Sequence, residues 1–177
     1  MCCILIRLLP TDVLGLSDSL DEEEGANMYE FTIGGRDGYI RITLDEVLGF
    51  PHEPSFYGGY DVKGKLDIQS GNYYVKGAEV WFTTGQVFQL YVELQEMNRQ
   101  LLGRSSFTNA ESDFEFDLEM TRLGQITIHG RFKELPSEEN VLHFAFESDQ
   151  SYLDATLKSL KTIVVHYGDM KGVKEQP

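Results

Sequence analysis

Residues 111–120, which read ESDFEFDLEM, concentrate carboxylates at a spacing that could do chemistry. Acidic residues occupy every odd position of this segment, and apolar residues occupy every even position from 114 onward. The carboxylates are those of Glu111, Asp113, Glu115, Asp117 and Glu119. Such a set could form a metal site, a general acid–base pair, a docking surface for a basic protein, or the solvated face of a strand.

The alternation predicts a strand, and strand geometry limits the chemistry. Neighbouring side chains on one face of a strand are about 6.6–6.8 Å apart, whereas a divalent cation takes oxygen ligands at roughly 2–2.6 Å. Neighbouring carboxylates of the segment are therefore too far apart to chelate one ion directly. An acid–base pair tolerates such a separation, but it also needs a cleft, which an open strand face does not provide. Docking and plain solvation remain the two main alternatives.

The following predicted strand, in GQITIHGRFKEL, offers cations to the same face. We expect Glu115 or Asp117 to pair with Arg131 or Lys133 across the strands, at about 0–1 kcal/mol for each exposed pair. The first two carboxylates of the segment have no evident cation. Uncompensated like charges disfavour folding slightly, and a binding surface would explain why they are present.

Histidine and cysteine positions do not indicate a metal site. His129 and His143 lie on consecutive predicted strands, and a symmetric hairpin would place them opposite each other as a solvated pair. Spacing fixes no third ligand for them. Cys2 and Cys3 are adjacent and are the only cysteines, so no disulfide framework and no zinc spacing is possible. Phosphate-loop, nucleophile-elbow and HExxH motifs are also missing. The sequence therefore predicts no cofactor, no metal and no catalytic residues.

Composition narrows the class of partner. The chain has 177 residues, a formal net charge of −14 and a pI of about 4.6. Nucleic-acid binding needs a basic surface, so we expect no nucleic-acid partner, and an acidic surface attracts basic proteins. The apolar run near the N-terminus is too short to span a membrane, so no membrane role is expected.

Hydrophobic periodicity predicts the elements that position these residues. Period-two segments form two groups of four strands, and each group precedes a segment of helical period. The first helix begins near Thr84 as N-cap and stops at Gly103; the second is capped by Asp149 or Ser151. The predicted fold class is α+β: about eight strands in predominantly antiparallel sheet, with two amphipathic helices packed on it in the order β4-α-β4-α. We expect each helix to cover the sheet of its own half.

Domain organisation follows from the acidic linker SDSLDEEEGAN. Residues 1–27 are predicted to be a disordered or misassigned N-terminal extension, because the strand pattern begins just after Met28. Residues 28–167 are predicted to form a single α+β domain, and residues 168–177 a flexible tail.

Several segments in this order resemble the WapI-type immunity proteins of bacteria, the antitoxins of contact-dependent toxins. They are the helix VFQLYVELQEMNRQL, the acidic segment, LGQITIHGRF and NVLHFAFESDQSYLDATLKSL. The most specific part is FxxDQSYL, formed by Phe146, Asp149, Gln150, Ser151, Tyr152 and Leu153. The resemblance covers about residues 28–167.

The resemblance implies a cytoplasmic, non-enzymatic antitoxin that binds the C-terminal toxic domain of its cognate toxin, often a basic nuclease. We predict that the five carboxylates of residues 111–119 contact the partner. For the DQSYL motif we favour a structural role, in which Asp149 caps the last helix while Tyr152 and Leu153 dock it. The sequence leaves open whether the protein is a monomer or a dimer.

A small-molecule or metal-binding α+β domain without a toxin partner is the alternative interpretation. The loop GFPHEPSFYGGY supplies Phe50, Phe56, Tyr57 and Tyr60, enough aromatic residues to line a pocket against the sheet.

Overall fold

The computed structural model describes residues 28–135 and 137–174, so the predicted N-terminal extension lies outside the described residues. Strands and helices follow one another in the predicted order. In the first half they are β1 (Tyr29–Gly34), β2 (Gly38–Leu48), β3 (Asp61–Ser70), β4 (Tyr73–Thr83) and α1 (Thr84–Gln100). In the second half they are β5 (Gly103–Thr108), β6 (Phe114–Met120), β7 (Gln125–Phe132), β8 (Leu142–Asp149) and α2 (Gln150–Tyr167).

The strands form two four-stranded antiparallel sheets, which confirms the predicted α+β class. Sheet order follows chain order in both, β1-β2-β3-β4 and β5-β6-β7-β8. Short turns join β1 to β2, β3 to β4 and β6 to β7, and antiparallel pairing is what such turns favour. Between β2 and β3 runs the long loop of residues 49–60.

One hydrophobic core serves both sheets and both helices. Side chains on one face of each strand are buried, and the alternation follows the two-residue period of the sequence. The helices contribute residues at steps of three and four. Fully buried large side chains come from both halves: Phe31, Ile40, Ile42, Leu66, Phe82, Leu90, Leu94, Phe114, Phe116 and Leu118.

Helix α1 is capped by Thr83, one residue before the predicted cap. The Thr83 hydroxyl accepts a hydrogen bond from the Gln86 backbone N–H (3.1 Å), and the Gln86 side chain accepts one from the Thr83 N–H (2.9 Å). This reciprocal capping box requires a Gln or Glu three residues after the cap. The predicted cap, Thr84, instead accepts from the Tyr60 backbone N–H. At its other end α1 closes on Leu101 in the left-handed conformation (φ 55°).

The helices lie closest to the sheets of the opposite halves, contrary to the expectation that each covers its own sheet. Helix α2 runs antiparallel to β1: Tyr152, near its start, contacts Gly34, and Tyr167, at its end, contacts Tyr29. Helix α1 lies along β5 in the same way. The two helices also pack on each other.

Because each helix packs on the sheet of the opposite half, we call this arrangement the helix exchange. Each helix also donates a hydrogen bond to the outer edge of that sheet. The Thr156 hydroxyl donates to the Thr32 carbonyl of β1 (2.6 Å), and the Gln86 side chain donates to the Thr108 carbonyl of β5 (2.6 Å). Uncovered edge strands invite pairing with other chains. The helices thus protect the first strand of each sheet.

The two halves are also joined by a repeated hydrogen bond. In each half, the carbonyl of the third residue before the helix accepts from a residue just after the first strand of the other sheet. The Trp81 carbonyl accepts from the Asn109 side chain (3.2 Å), and the Glu147 carbonyl accepts from the Arg36 N–H (2.8 Å). The fold therefore shows a two-fold relation between halves whose sequences do not align convincingly.

Residues 168–174, part of the predicted flexible tail, lie against the loop of residues 49–60. The Gly59 N–H donates to the Met170 carbonyl (2.7 Å), and the Tyr60 hydroxyl is 3.2 Å from the Gly172 carbonyl. The Lys174 ammonium lies 5.0 Å from the centre of the Phe50 ring. The flexibility of this tail stays a prediction.

Candidate functional site on the second sheet

The structure divides the acidic segment between a turn and a strand. Strand β6 begins at Phe114, so Glu111 and Asp113 lie in the turn that precedes it. The buried Asn109 side chain holds this turn: it accepts from the Phe114 N–H (3.0 Å) and donates to the Asp113 carboxylate (2.6 Å). Ser112 adopts a left-handed conformation (φ 56°). The strand prediction is therefore correct for residues 114–120 only.

The remaining three carboxylates lie on the polar face of the second sheet, which we call the acidic face. We define it by Arg104, Ser106, Glu115, Asp117, Glu119, Thr127, His129, Arg131 and His143. Most of these side chains are exposed, while the opposite face of the same strands forms the core. Four hydrogen-bonded strands hold these groups at fixed spacing, so the acidic face is preorganised.

Two ion pairs neutralise part of the acidic face. Arg131 Nε lies 2.9 Å from Glu115 Oε1, which confirms one of the pairings predicted from the sequence. Arg104 and Glu119 form a second pair at 2.9 Å. The Glu119 hydrogen bond raises the pKa of the Arg104 guanidinium, and the Asp117 charge adds to that effect. Arg104 and Ser106 were not foreseen, because the sequence does not reveal how β5 is aligned with β6.

Asp117 and Glu111 both carry charge that no ion pair among the described residues offsets. Asp117 has Ser106 and His129 as its cross-strand neighbours. Both carboxylates are exposed and therefore accessible to a basic partner.

The predicted pairing of His129 with His143 is wrong. His129 lies opposite Ala145, and His143 lies opposite Arg131. The hairpin register pairs Phe132 with Leu142, so His129 and His143 are offset by two positions along the strands. Within the described part of the chain, no group of three His, Cys, Asp or Glu residues could hold a metal ion.

The aromatic residues of the loop 49–60 do not line one pocket. Phe50 and Tyr60 contact each other edge to face, with centroids 5.1 Å apart, and Tyr60 is buried. Phe56 and Tyr57 are exposed to solvent. The arrangement predicted for a small-molecule ligand is therefore not formed by these four side chains.

The FxxDQSYL residues surround the start of α2. Asp149 accepts from the Ser151 N–H (2.9 Å) and from its hydroxyl (2.5 Å), and these bonds lower the pKa of the Asp149 carboxyl. Phe146 and Leu153 are buried. The Gln150 side chain donates to Asn98 of α1 (3.3 Å). All of these contacts are internal to the fold.

The fold and the acidic face define a small α+β domain with an exposed, charged sheet surface. A family model described as the immunity protein WapI-like family matches residues 31–168, and the chain belongs to this family. The match confirms the resemblance carried by the sequence motifs. Searches of curated proteins and of solved structures found no match.

Membership of this family bears on the function of the protein in three ways. It supports an immunity role, it implies a toxin protein as partner, and such families are generally non-enzymatic. Neither helix of the described residues is long and apolar enough to cross a membrane.

Proposed function

We propose that this protein is a cytoplasmic immunity protein that binds the C-terminal toxic domain of a cognate contact-dependent toxin and blocks it without turnover. The observation that carries the proposal is the acidic face, where Asp117 lacks an ion-pair partner among the described residues, in a member of an immunity protein family. The partner is a basic nuclease domain. Its cations bind phosphates of nucleic acid, and carboxylates can occupy the same positions.

The geometry of the acidic face supports fast binding with little rearrangement. Its carboxylates project from hydrogen-bonded strands, so few side chains need to be ordered when the partner docks. The net charge of −14 adds a long-range attraction that accelerates encounter with a basic protein. Glu115 and Glu119 are paired with arginines, so they contribute little uncompensated charge to the surface.

Charge reversal at the unpaired carboxylates tests the proposal. We expect E111K/D117K to weaken binding of the cognate toxin domain by about tenfold or more and to abolish growth rescue on co-expression. The matched control is E30K/E46K, which changes the net charge equally at two exposed positions of the first sheet. Binding is measured by calorimetry with a catalytically inactive toxin domain.

The outcomes separate the site from the function. Equal affinity of both double variants would show that the acidic face is only solvated and that the toxin docks elsewhere. If the wild-type protein neither binds the toxin domain nor rescues growth, the proposed function is wrong for that pair.

A further inference from the structure

A groove lies between the edge strand β4 and the β7–β8 connection, next to the acidic face. It encloses about 510 Å³, and its lining includes Tyr73, Tyr74, Lys76, Glu134, Val141 and Leu142. The motifs of the sequence did not indicate this groove, because its two walls come from segments about 60 residues apart in the chain.

Two exposed tyrosines project at one wall of the groove. Tyr73 and Tyr74 are 71% and 65% exposed, and both line the groove although consecutive strand residues point to opposite faces of the sheet. Their backbone is fixed by pairing with Ser70 and Gln69. The Ser70 hydroxyl also donates to the Ala145 carbonyl of β8 (3.0 Å), so the hairpin is anchored to the second sheet. Tyrosines held this way lose little entropy on binding and are common binding hot spots.

Charge around the groove indicates what occupies it. The lining itself carries Glu134 and Lys76. The β7–β8 connection also carries Glu138 and Glu139, outside that lining. At its start the Lys133 N–H donates to the Asp113 carbonyl (2.8 Å), which ties the connection to the acidic turn before β6. Aromatic rings beside carboxylates favour a lysine or arginine side chain, since the ring face and the carboxylate both attract a cation.

We propose that this groove receives a lysine- or arginine-bearing segment of the toxin domain, with Tyr73 and Tyr74 as its main anchors. The inference rests on the proposed function and adds a second contact region. The acidic face attracts the partner, and the groove supplies the buried apolar contact that holds it. Such contacts act chiefly on the dissociation rate.

Paired aromatic variants test this assignment. Y73A/Y74A is compared with F56A/Y57A, which removes the exposed aromatic pair of the loop 49–60 (97% and 70% exposed). Association and dissociation rates are measured by surface plasmon resonance with the inactive toxin domain, after thermal unfolding has shown that both variants fold. We expect Y73A/Y74A to raise Kd by about tenfold or more, mainly through faster dissociation, and F56A/Y57A to change it by less than about twofold.

Each other result contradicts the inference in a distinct way. If the wild-type protein binds and Y73A/Y74A binds equally well, the groove is not a toxin contact, while the proposed function stands. If sedimentation shows a dimer that only Y73A/Y74A dissociates, with toxin affinity unchanged, the occupant is a second copy of this chain. If the wild-type protein does not bind the toxin domain, both the inference and the proposed function fail.

Discussion

Asp117 shows how the chemistry of one residue depends on strands that are remote in sequence. Its carboxylate projects from the middle of the second sheet, with Ser106 on one side and His129 on the other. Two residues away on β6 in each direction, a glutamate forms an ion pair with an arginine: Glu115 with Arg131, and Glu119 with Arg104. The uncompensated charge of the acidic face therefore depends on which residue lies opposite each carboxylate on the neighbouring strand.

His166 is a single residue whose protonation affects folding. It stacks on Tyr29 (4.9 Å between centroids) and contacts Phe50 (5.3 Å), and burial lowers its pKa, with Lys174 contributing. The unfolded chain therefore binds a proton more readily than the folded protein does. The contribution of neutral His166 to the free energy of unfolding is fully present above about pH 6.5. It is lost as the pH falls towards the lowered pKa of His166 in the folded protein.

We expect H166F to lose less unfolding free energy than the wild-type protein between pH 7.5 and pH 5.5, because it keeps the ring contacts and cannot titrate. Urea unfolding at both pH values measures this difference. H52Q, at an exposed histidine of the nearby loop, should match the wild type. An identical pH dependence of H166F and wild type would show that His166 is not the titrating group.

At the level of elements, local signals predicted type and order well and placement poorly. Burial alternates along β6 as its sequence does, and α1 has the period expected from its apolar residues. The turn before β6 depends on Asn109 and Ser112, which have no strong sequence signal. The β7–β8 hairpin is centred on residue 137, which places Ala145 rather than His143 opposite His129. Which sheet a helix contacts depends on closure of the whole chain, so the helix exchange was not predictable from local patterns.

The packing of α2 on the first sheet predicts that Thr156 contributes to the free energy of unfolding. Its buried hydroxyl donates to the Thr32 carbonyl on the outer edge of β1. Thr156→Val keeps the side-chain shape but leaves that carbonyl without its donor, at a cost of about 1–3 kcal/mol. Thr162→Val is the control, because that hydroxyl is exposed and bonds only within α2, to Lys158; we expect a change within about 0.5 kcal/mol.

Denaturant unfolding of both variants gives the comparison. If Thr156→Val is as stable as Thr162→Val, the hydrogen bond from α2 does not stabilise the edge of the first sheet.

At the level of the whole molecule, the proposed function predicts that net charge affects the rate of encounter more than the strength of the final complex. The charge of −14 is spread over both halves of the chain, so it acts at longer range than any single contact. Raising the salt concentration from about 20 mM to about 300 mM shortens the screening length several-fold. We expect the association rate with the toxin domain to fall by about tenfold or more over this range, with a much smaller change in dissociation.

Stopped-flow mixing of the two proteins measures both rates. Association rates that do not depend on salt would show that charge does not guide the encounter, whatever the contacts in the complex.

The exchange of helices also has a consequence in time, during synthesis of the protein. The Thr156–Thr32 bond joins residues 124 positions apart. Ribosomes produce the first sheet before α2, so the outer edge of β1 lacks the contact with α2 until the second half of the domain has been made. An open strand edge on a nascent chain can pair with other chains. The described domain therefore closes only when α2 has been made, and we expect a chain stalled before α2 to have an aggregation-prone edge.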